Sequence, residues 1–354
     1  MRVFLTGGTG LVGSLLVKKL LARGDQVVVL SRRPDAGKKL WGESVTIVAG
    51  DPVTPGAWMD AVAACDAVVH LAGEGIFNRR WSQEFKDLIY SSRIKGTDNI
   101  VAALGKSAAV APASQGPPAF SSNLAESVQP PAFSPLLAET EKRTSSSPLP
   151  PGEGLGVRGT PRVLVSGSAI GFYGPHGDEE LTENSLAGID FFSKVCTDWE
   201  KAAQAATSHC VRVVLLRTGV VFDKNGGALT KMLPPFKMGV GGPIAGGRQF
   251  MSWIHNEDLC GLILFALDHA EVNGPLNGTA PNPVTNKEFS KALGKVLGRP
   301  SFLPTPGFAL RVMLGEVSEV ITQGQRVLPR KALDAGYAFK FTEVEAALRD
   351  LLAK

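Results

Sequence analysis

Short apolar runs alternate with amphipathic stretches through most of the chain. Arg2-Val3-Phe4-Leu5-Thr6 is the first run, and Leu15, Leu16, Val17, Leu20 and Leu21 follow it at helical spacing. That order predicts a strand and then a helix. Gln26-Val27-Val28-Val29-Leu30 and Val45-Thr46-Ile47-Val48 predict a second and a third strand. Ala67-Val68-Val69-His70-Leu71 predicts a fourth, nearly continuous in apolar residues, as a strand covered on both faces must be. Between Ser92 and Leu104, Ile94, Thr97, Val101 and Leu104 share one helical face. Val163-Leu164-Val165 and Val211 to Leu216 predict two more buried strands. Strands alternating with helices imply an α/β fold, a Rossmann-like doubly wound parallel sheet with right-handed crossovers.

The periodicity breaks at residues 107–161. These 55 residues hold 10 of the 24 prolines and 9 serines. No apolar period survives that much proline. Pro117-Pro118-Ala119-Phe120-Ser121 returns as Pro130-Pro131-Ala132-Phe133-Ser134, and two copies are too few for a solenoid. The segment is expected to be a disordered Pro/Ser-rich insertion with no part in chemistry. Its prolines also suit a ligand for an aromatic-groove domain.

Between the first strand and the first helix stands Gly7-Gly8-Thr9-Gly10-Leu11-Val12-Gly13. A glycine-rich turn in that context is a dinucleotide-binding signature. Gly7 permits the tight turn, Gly10 lets backbone approach a pyrophosphate, and Gly13 allows close packing of helix on strand. The helix start, with Leu11 and Val12, offers free N–H groups and partial positive charge to phosphates. The end of the second strand selects the cofactor. An acid there would bond the ribose 2′-hydroxyl of NAD; the chain has Ser31-Arg32-Arg33 instead. Two guanidinium groups suit a 2′-phosphate, so NADP(H) is the expected cofactor. One charge-assisted hydrogen bond contributes about 1.5–3 kcal/mol, roughly a ten- to hundredfold preference.

Composition narrows the class. The chain has 354 residues, 44% hydrophobic and 20% charged, which supports a sizeable core. The net charge of +4 is spread out, with no basic run for nucleic acid or a membrane surface. Cys65, Cys196, Cys210 and Cys260 lie far apart, without metal-ligand spacing. Neither a disulfide scaffold nor a metal site is expected, and a reducing, cytoplasmic setting is. No apolar run reaches the roughly 18 residues of a membrane span. A signal peptide is not expected, because the first strand begins almost at the N-terminus.

Several further motifs carry a family resemblance. Besides the glycine turn, these are Gly50-Asp51, His70-Leu71-Ala72-Gly73, Ser166-Gly167-Ser168-Ala169-Ile170-Gly171-Phe172-Tyr173-Gly174, Leu216-Arg217-Thr218-Gly219-Val220 and Trp253-Ile254-His255-Asn256-Glu257-Asp258. Together they resemble the extended short-chain dehydrogenase/reductases. Arg79-Arg80-Trp81 and Ser92-Arg93 narrow the resemblance to an atypical "epimerase family protein" subgroup, also described as NAD-dependent epimerase/dehydratase-like or cell-division-inhibitor-like. The last fifty or so residues look like that subgroup's C-terminal extension. The resemblance implies that Asp51 lies near the adenine. Leu71, Ala72 and Gly73 would pass the ribose and pyrophosphate, with Ser166 and Arg93 also in the cofactor site, and Ser168 would take the catalytic serine position. It further implies a Tyr-x-x-x-Lys pair on the following helix.

That pair is missing. Aligning Asp190 to Glu200 on Glu200 puts Phe192 at the tyrosine place and Cys196 at the lysine place. Positioned acid/base groups contribute about 10²- to 10⁴-fold, so standard epimerase chemistry is expected to be impaired. Tyr173, on the loop leaving a strand's C-terminal end, is the candidate substitute proton donor, and Ser168 the candidate for orienting a substrate oxygen. Asp190 reads as a helix cap, His255 as the cap of the next helix, and Cys196 as a core cysteine. Arg79, Arg80 and Lys86 form a basic group that could meet an anionic substrate or a phosphate. Met251 stands where nucleotide-sugar epimerases often carry an arginine, which weighs against a nucleotide sugar.

Residues 1–106 and 162–225 are therefore expected to form the NADP-binding domain, and 226–354 a small substrate-binding region plus the extension. In the second part Thr285 and Glu288 have the spacing of a capping box, and Phe289, Leu293, Val296 and Leu297 line that helix. Phe308 to Leu314 and Glu343 to Leu352 read as further helices. The expected function is hydride transfer with a small carbonyl or hydroxyl compound. The alternative is a catalytically weak NADPH sensor or scaffold with a protein partner.

Overall fold

The computed structural model describes residues 1–109 and 163–352. The Pro/Ser-rich insertion, apart from its first three residues, lies outside them. Strand β1 (Arg2–Thr6) leads into α1 (Leu11–Ala22), then β2 (Gln26–Ser31), α2 (Pro34–Trp41), β3 (Thr46–Ala49), α3 (Trp58–Ala63) and β4 (Ala67–His70). Helix α4 (Gln83–Ala109) follows, longer at both ends than the periodicity implied. Then come β5 (Val163–Ala169), α5 (Phe191–Gln204) and β6 (Arg212–Thr218). Seven strands pair in the order β7-β6-β5-β4-β1-β2-β3, all parallel, where β7 is Gly274–Gly278. The strand order reverses beside β1, so a crevice opens between the C-terminal ends of β1 and β4.

β7 lies beyond the expected boundary at 225. Gly274-Pro275-Leu276-Asn277-Gly278 has neither β-branched residues nor alternation, so no periodicity marked it. Its pairing with β6 makes it a strand: Leu276 faces Leu216 and Asn277 faces Arg217 in register. The principal sheet thus draws on residues from both expected parts. The described residues cluster as one unit.

Two apolar layers cover the sheet. On one face Leu16, Val17 and Leu20 of α1 pack with Leu259, Leu262 and Ile263 of α7 (Asn256–Asp268). On the other, Ile100 and Leu104 of α4 pack with Trp58, Val62 and Ala203. A third cluster forms the smaller C-terminal part. It joins α6 (Gly227–Lys237), α8 (Asn286–Leu297) and α12 (Val344–Leu352) around Trp253, Phe289 and Leu348.

The expected caps are present. The Asp190 side chain accepts from Ser193 N at 2.8 Å, and His255 Nδ1 from Glu257 N at 3.0 Å. Thr285 and Glu288 form a reciprocal capping box on α8. The C-terminal extension is tied to the body through backbone. Lys340 N and Phe341 N donate to the Asp258 carboxylate at 2.7 and 2.9 Å. Among the described residues no helix is long and apolar enough to cross a membrane.

Candidate functional site

The glycine turn sits at the mouth of the crevice. Gly7 has φ +73°, where a Cβ would come within 3.0–3.1 Å of Leu71 and Ala72 backbone. Gly13 lies so close to the turn that a Cβ would overlap Gly7 O, which is how α1 starts directly against the loop. Gly10 is the N-cap of α1, exposed, with no side-chain capping bond. A helix start left without a side-chain cap at a sheet's C-terminal end is a ready anion site.

Arg32 and Arg33 follow β2 and are both exposed. Among the described residues neither guanidinium has a hydrogen-bond or ion-pair partner. Asp51 stands across from them after β3, half-buried, its carboxylate accepting from Val53 N at 3.0 Å. On the other side of β1, Thr6 Oγ1 meets His70 Nδ1 at 2.7 Å and accepts from Ala72 N at 3.2 Å. This pair fixes where the Leu71–Gly73 loop leaves β4. His70 is fully buried, and burial holds its imidazole down to about 4, hence neutral. Ser166 is within the sheet with no exposed surface. Its hydroxyl donates to Gly167 O at 3.4 Å.

The catalytic positions are organised differently. Ser168 is 4% exposed, and its hydroxyl donates to Glu200 Oε1 at 2.7 Å. Glu200 accepts a two-point bond from Arg217, Nε to Oε1 and Nη2 to Oε2, both 2.8 Å. Arg217 Nη1 donates to the Tyr173 hydroxyl at 3.0 Å, and that hydroxyl donates to Asn277 Oδ1 at 2.7 Å. Asn277 N and Lys331 N in turn donate to the Glu183 carboxylate. The network links β5, α5, β6 and β7 to α11 (Arg330–Asp334) of the C-terminal extension.

Tyr173, the expected proton donor, is held inside this network. It has no exposed surface, both capacities of its hydroxyl are used, and burial pushes the phenol up to about 12. Releasing its proton to a ligand would leave buried groups unpaired, at about 1–3 kcal/mol each. Sequence reasoning quoted Arg217 only within a family motif and gave no role to it, Glu183 or Asn277. The signal was an arginine ending a strand otherwise buried and apolar, since arginine is almost never fully buried unless paired.

Phe192 lies over Gly171, where a Cβ would collide with its ring. It stacks on Trp81 with centroids 6.2 Å apart, and Phe191 meets Trp81 edge-on at 5.5 Å. Cys196 is buried, and burial pushes its thiol up to about 12. Neither supplies an acid or a cation at neutral pH. Arg79, Arg80 and Lys86 each make contacts within the chain. Lys86 pairs with Glu316 and lies over the Trp81 and Phe191 rings, and Arg80 Nη2 donates to Val312 O at 2.8 Å. Arg80 thus ties the C-terminal part to the loop after β4 and Lys86 ties it to α4; Arg79 lies over Phe85.

With this geometry in hand, comparison with known proteins is decisive. The model of the NAD dependent epimerase/dehydratase family matches residues 3–277, and a domain of unknown function, DUF1731, matches residues 305–351. The chain belongs to the NAD dependent epimerase/dehydratase family. It is 36% identical over 357 residues to mouse epimerase family protein SDR39U1, covering all of both chains. It is 37% identical over 354 residues to the chloroplastic homolog of Arabidopsis thaliana, covering 99% of this chain and 87% of that one. The crystal structure of human epimerase family protein SDR39U1 (isoform 2) with NADPH superposes with a TM-score of 0.74 at 32% identity, covering 99% of each chain.

Proposed function

We propose that this epimerase-family chain is an NADP(H)-dependent oxidoreductase acting on a small carbonyl or hydroxyl compound. The observation that carries the reading is the pair of groups left unsatisfied around β1: an uncapped glycine turn and two arginines whose guanidinium groups have no partner among the described residues. A pyrophosphate fits the first and a 2′-phosphate the second. The NADPH in the human relative's crystal structure supports the same cofactor. Gly7, Gly10, Leu11, Val12 and Gly13 would hold the pyrophosphate, Arg32 and Arg33 the 2′-phosphate, and Asp51 would border the adenine. Bound NADP(H) supplies the hydride. Ser168 would orient a substrate hydroxyl by accepting a hydrogen bond from it, because its own O–H is donated to Glu200. No protein acid stands at Phe192 or Cys196, so slow turnover is expected.

A second reading, an NADPH-dependent sensor or scaffold, is favoured by one feature. Phe308 and Val312 on α9 (Gly307–Leu314) are 74% and 72% exposed, and α9 leans on the loop after β4 through Arg80. Loading the protein with NADPH deuterated at the transferable hydride and exposing it to a metabolite extract separates the two. Deuterium in a metabolite is the expected result. Tight binding without transfer from either hydride face would overturn the enzyme reading.

A further inference from the structure

The wall that the start of α5 presents at the sheet's C-terminal end is aromatic. Phe192 stands in the first turn of α5 with its ring over Gly171, in the turn that leaves β5 just beyond Ser168. Trp81 comes from the loop after β4, where its Nε1 donates to Ile76 O at 2.9 Å. The two rings stack with 6.2 Å between centroids and 27° between planes. Neither belongs to the buried core, and both keep part of their surface open. Phe77, on the same loop as Trp81, is 38% exposed.

The charges beside this wall do not suit a diphosphate. Lys86 is paired with Glu316 and lies over the Trp81 and Phe191 rings. Arg80 is turned to Val312 O, and Lys231 donates to Phe77 O at 3.2 Å while lying 5.6 Å from the centre of the Phe77 ring. Arg93 of α4, the cation that the sequence places with the cofactor, donates to Ile89 O and lies over the Trp199 ring. Glu74, in the loop after β4, adds a negative charge, and its carboxylate accepts from Asn78 Nδ2 at 2.9 Å. Recruiting Lys86, Arg80 or Lys231 for a phosphate would break a bond that it already makes. Holding a phosphate against open ring faces without them is costly. An uncharged ring gains there instead, since ring pairs contribute about 0.5–1.5 kcal/mol beyond the area they bury. Ser168 sets the polar end of the ligand. Its O–H is donated to Glu200 at 2.7 Å, so only its lone pairs remain, and these match a hydroxyl donor.

We propose that the Phe192–Trp81 pair is the substrate platform, and that the substrate is a phosphate-free aromatic alcohol or the ketone it interconverts with, its ring against the pair and its hydroxyl toward Ser168. The inference rests on the NADP(H) oxidoreductase reading above and names its substrate class. In the oxidising direction the carbinol C–H bond breaks and its hydride reduces NADP+. The O–H bond breaks, its proton goes to water, and the C=O double bond forms. The position that cannot move a proton thus supplies the surface that holds the ring.

The test titrates NADPH-loaded protein calorimetrically with α-methylbenzyl alcohol, which cannot be oxidised while the cofactor is reduced, and separately with UDP-glucose. The alcohol should bind more tightly than UDP-glucose. Phe192→Ala and Trp81→Ala should each weaken the alcohol by about two- to tenfold, the loss of one ring contact, and leave NADPH affinity unchanged. Phe192→Leu and Trp81→Leu keep an apolar side chain without the ring, and carry the same expectation where an alanine variant does not fold. Tighter binding of UDP-glucose overturns the inference. So does alcohol affinity unchanged in the variants, or no binding of the alcohol to loaded wild type. Protein that does not load with NADPH overturns the cofactor reading instead. Alcohol that binds but is never oxidised by NADP+-loaded protein overturns the oxidoreductase reading, and the substrate assignment with it.

Discussion

On the β2 side of the crevice the polar groups are unspent: Gly10 caps α1 without a side chain, and the Arg32 and Arg33 guanidinium groups have no partner among the described residues. On the β5–β6 side the polar groups are spent on each other, from Ser168 through Glu200 and Arg217 to Tyr173 and Asn277. Free donors at a surface cost little, because water satisfies them until a ligand displaces it. Buried donors must be satisfied within the fold. The first side is thus built to receive an anion, and the second to hold four strands and helices at fixed spacing. Ser168 and Tyr173, which resemble a catalytic set by position, are both bonded within this network.

The largest test of this contrast is Arg217→Ala. It strands the Glu200 carboxylate, which is 7% exposed, and should cost about 3–5 kcal/mol in denaturant unfolding. A loss below about 1 kcal/mol would show that the closed side is not a structural network. The next test is acid. His70 is neutral in the native state, with its pKa down at about 4, whereas in the unfolded chain it titrates near 6.5. The unfolded state then binds more protons between those values. The His70 contribution is fully present above about 6.5 and is lost as pH falls toward 4, on the order of 3 kcal/mol. Unfolding of wild type and His70→Asn measured across that window should show the steeper fall in wild type; parallel curves would remove His70 from the account.

On the open side, replacing Arg32 and Arg33 together by alanine should reduce NADPH affinity by at least about tenfold while sparing NADH and stability. Equal effects on NADPH and NADH would mean that neither arginine reads the 2′-phosphate. The smallest effect is expected for Tyr173→Phe, about 1–2 kcal/mol of stability from the bonds to Asn277 and Arg217, with NADPH affinity unchanged. If hydride transfer vanished in that variant with stability intact, the tyrosine would return to the chemistry.

Much of this was legible along the chain. Val27 to Leu30 and Ala67 to Val69 announced central strands, and the glycine turn announced its own strand–helix junction, because a motif of adjacent residues carries its geometry with it. β7 was not legible: Gly274 to Gly278 lacks strand residues and is held by pairing with β6. Nor were the roles of Ser168 and Tyr173. They depend on Glu200 and Arg217, which lie 32 and 44 residues away in sequence.

The chain by itself determined the α/β class, the helix caps at Asp190, His255 and Thr285, and the glycine turn with its two arginines. All of these follow from local periodicity and hydrogen bonds spanning a few residues. Only the tertiary structure decided which polar groups stay open and which close on one another. Burial and bonding across strands are properties of the assembled sheet. A hydroxyl that points to a buried carboxylate is written in the sequence no differently from one that points to a ligand.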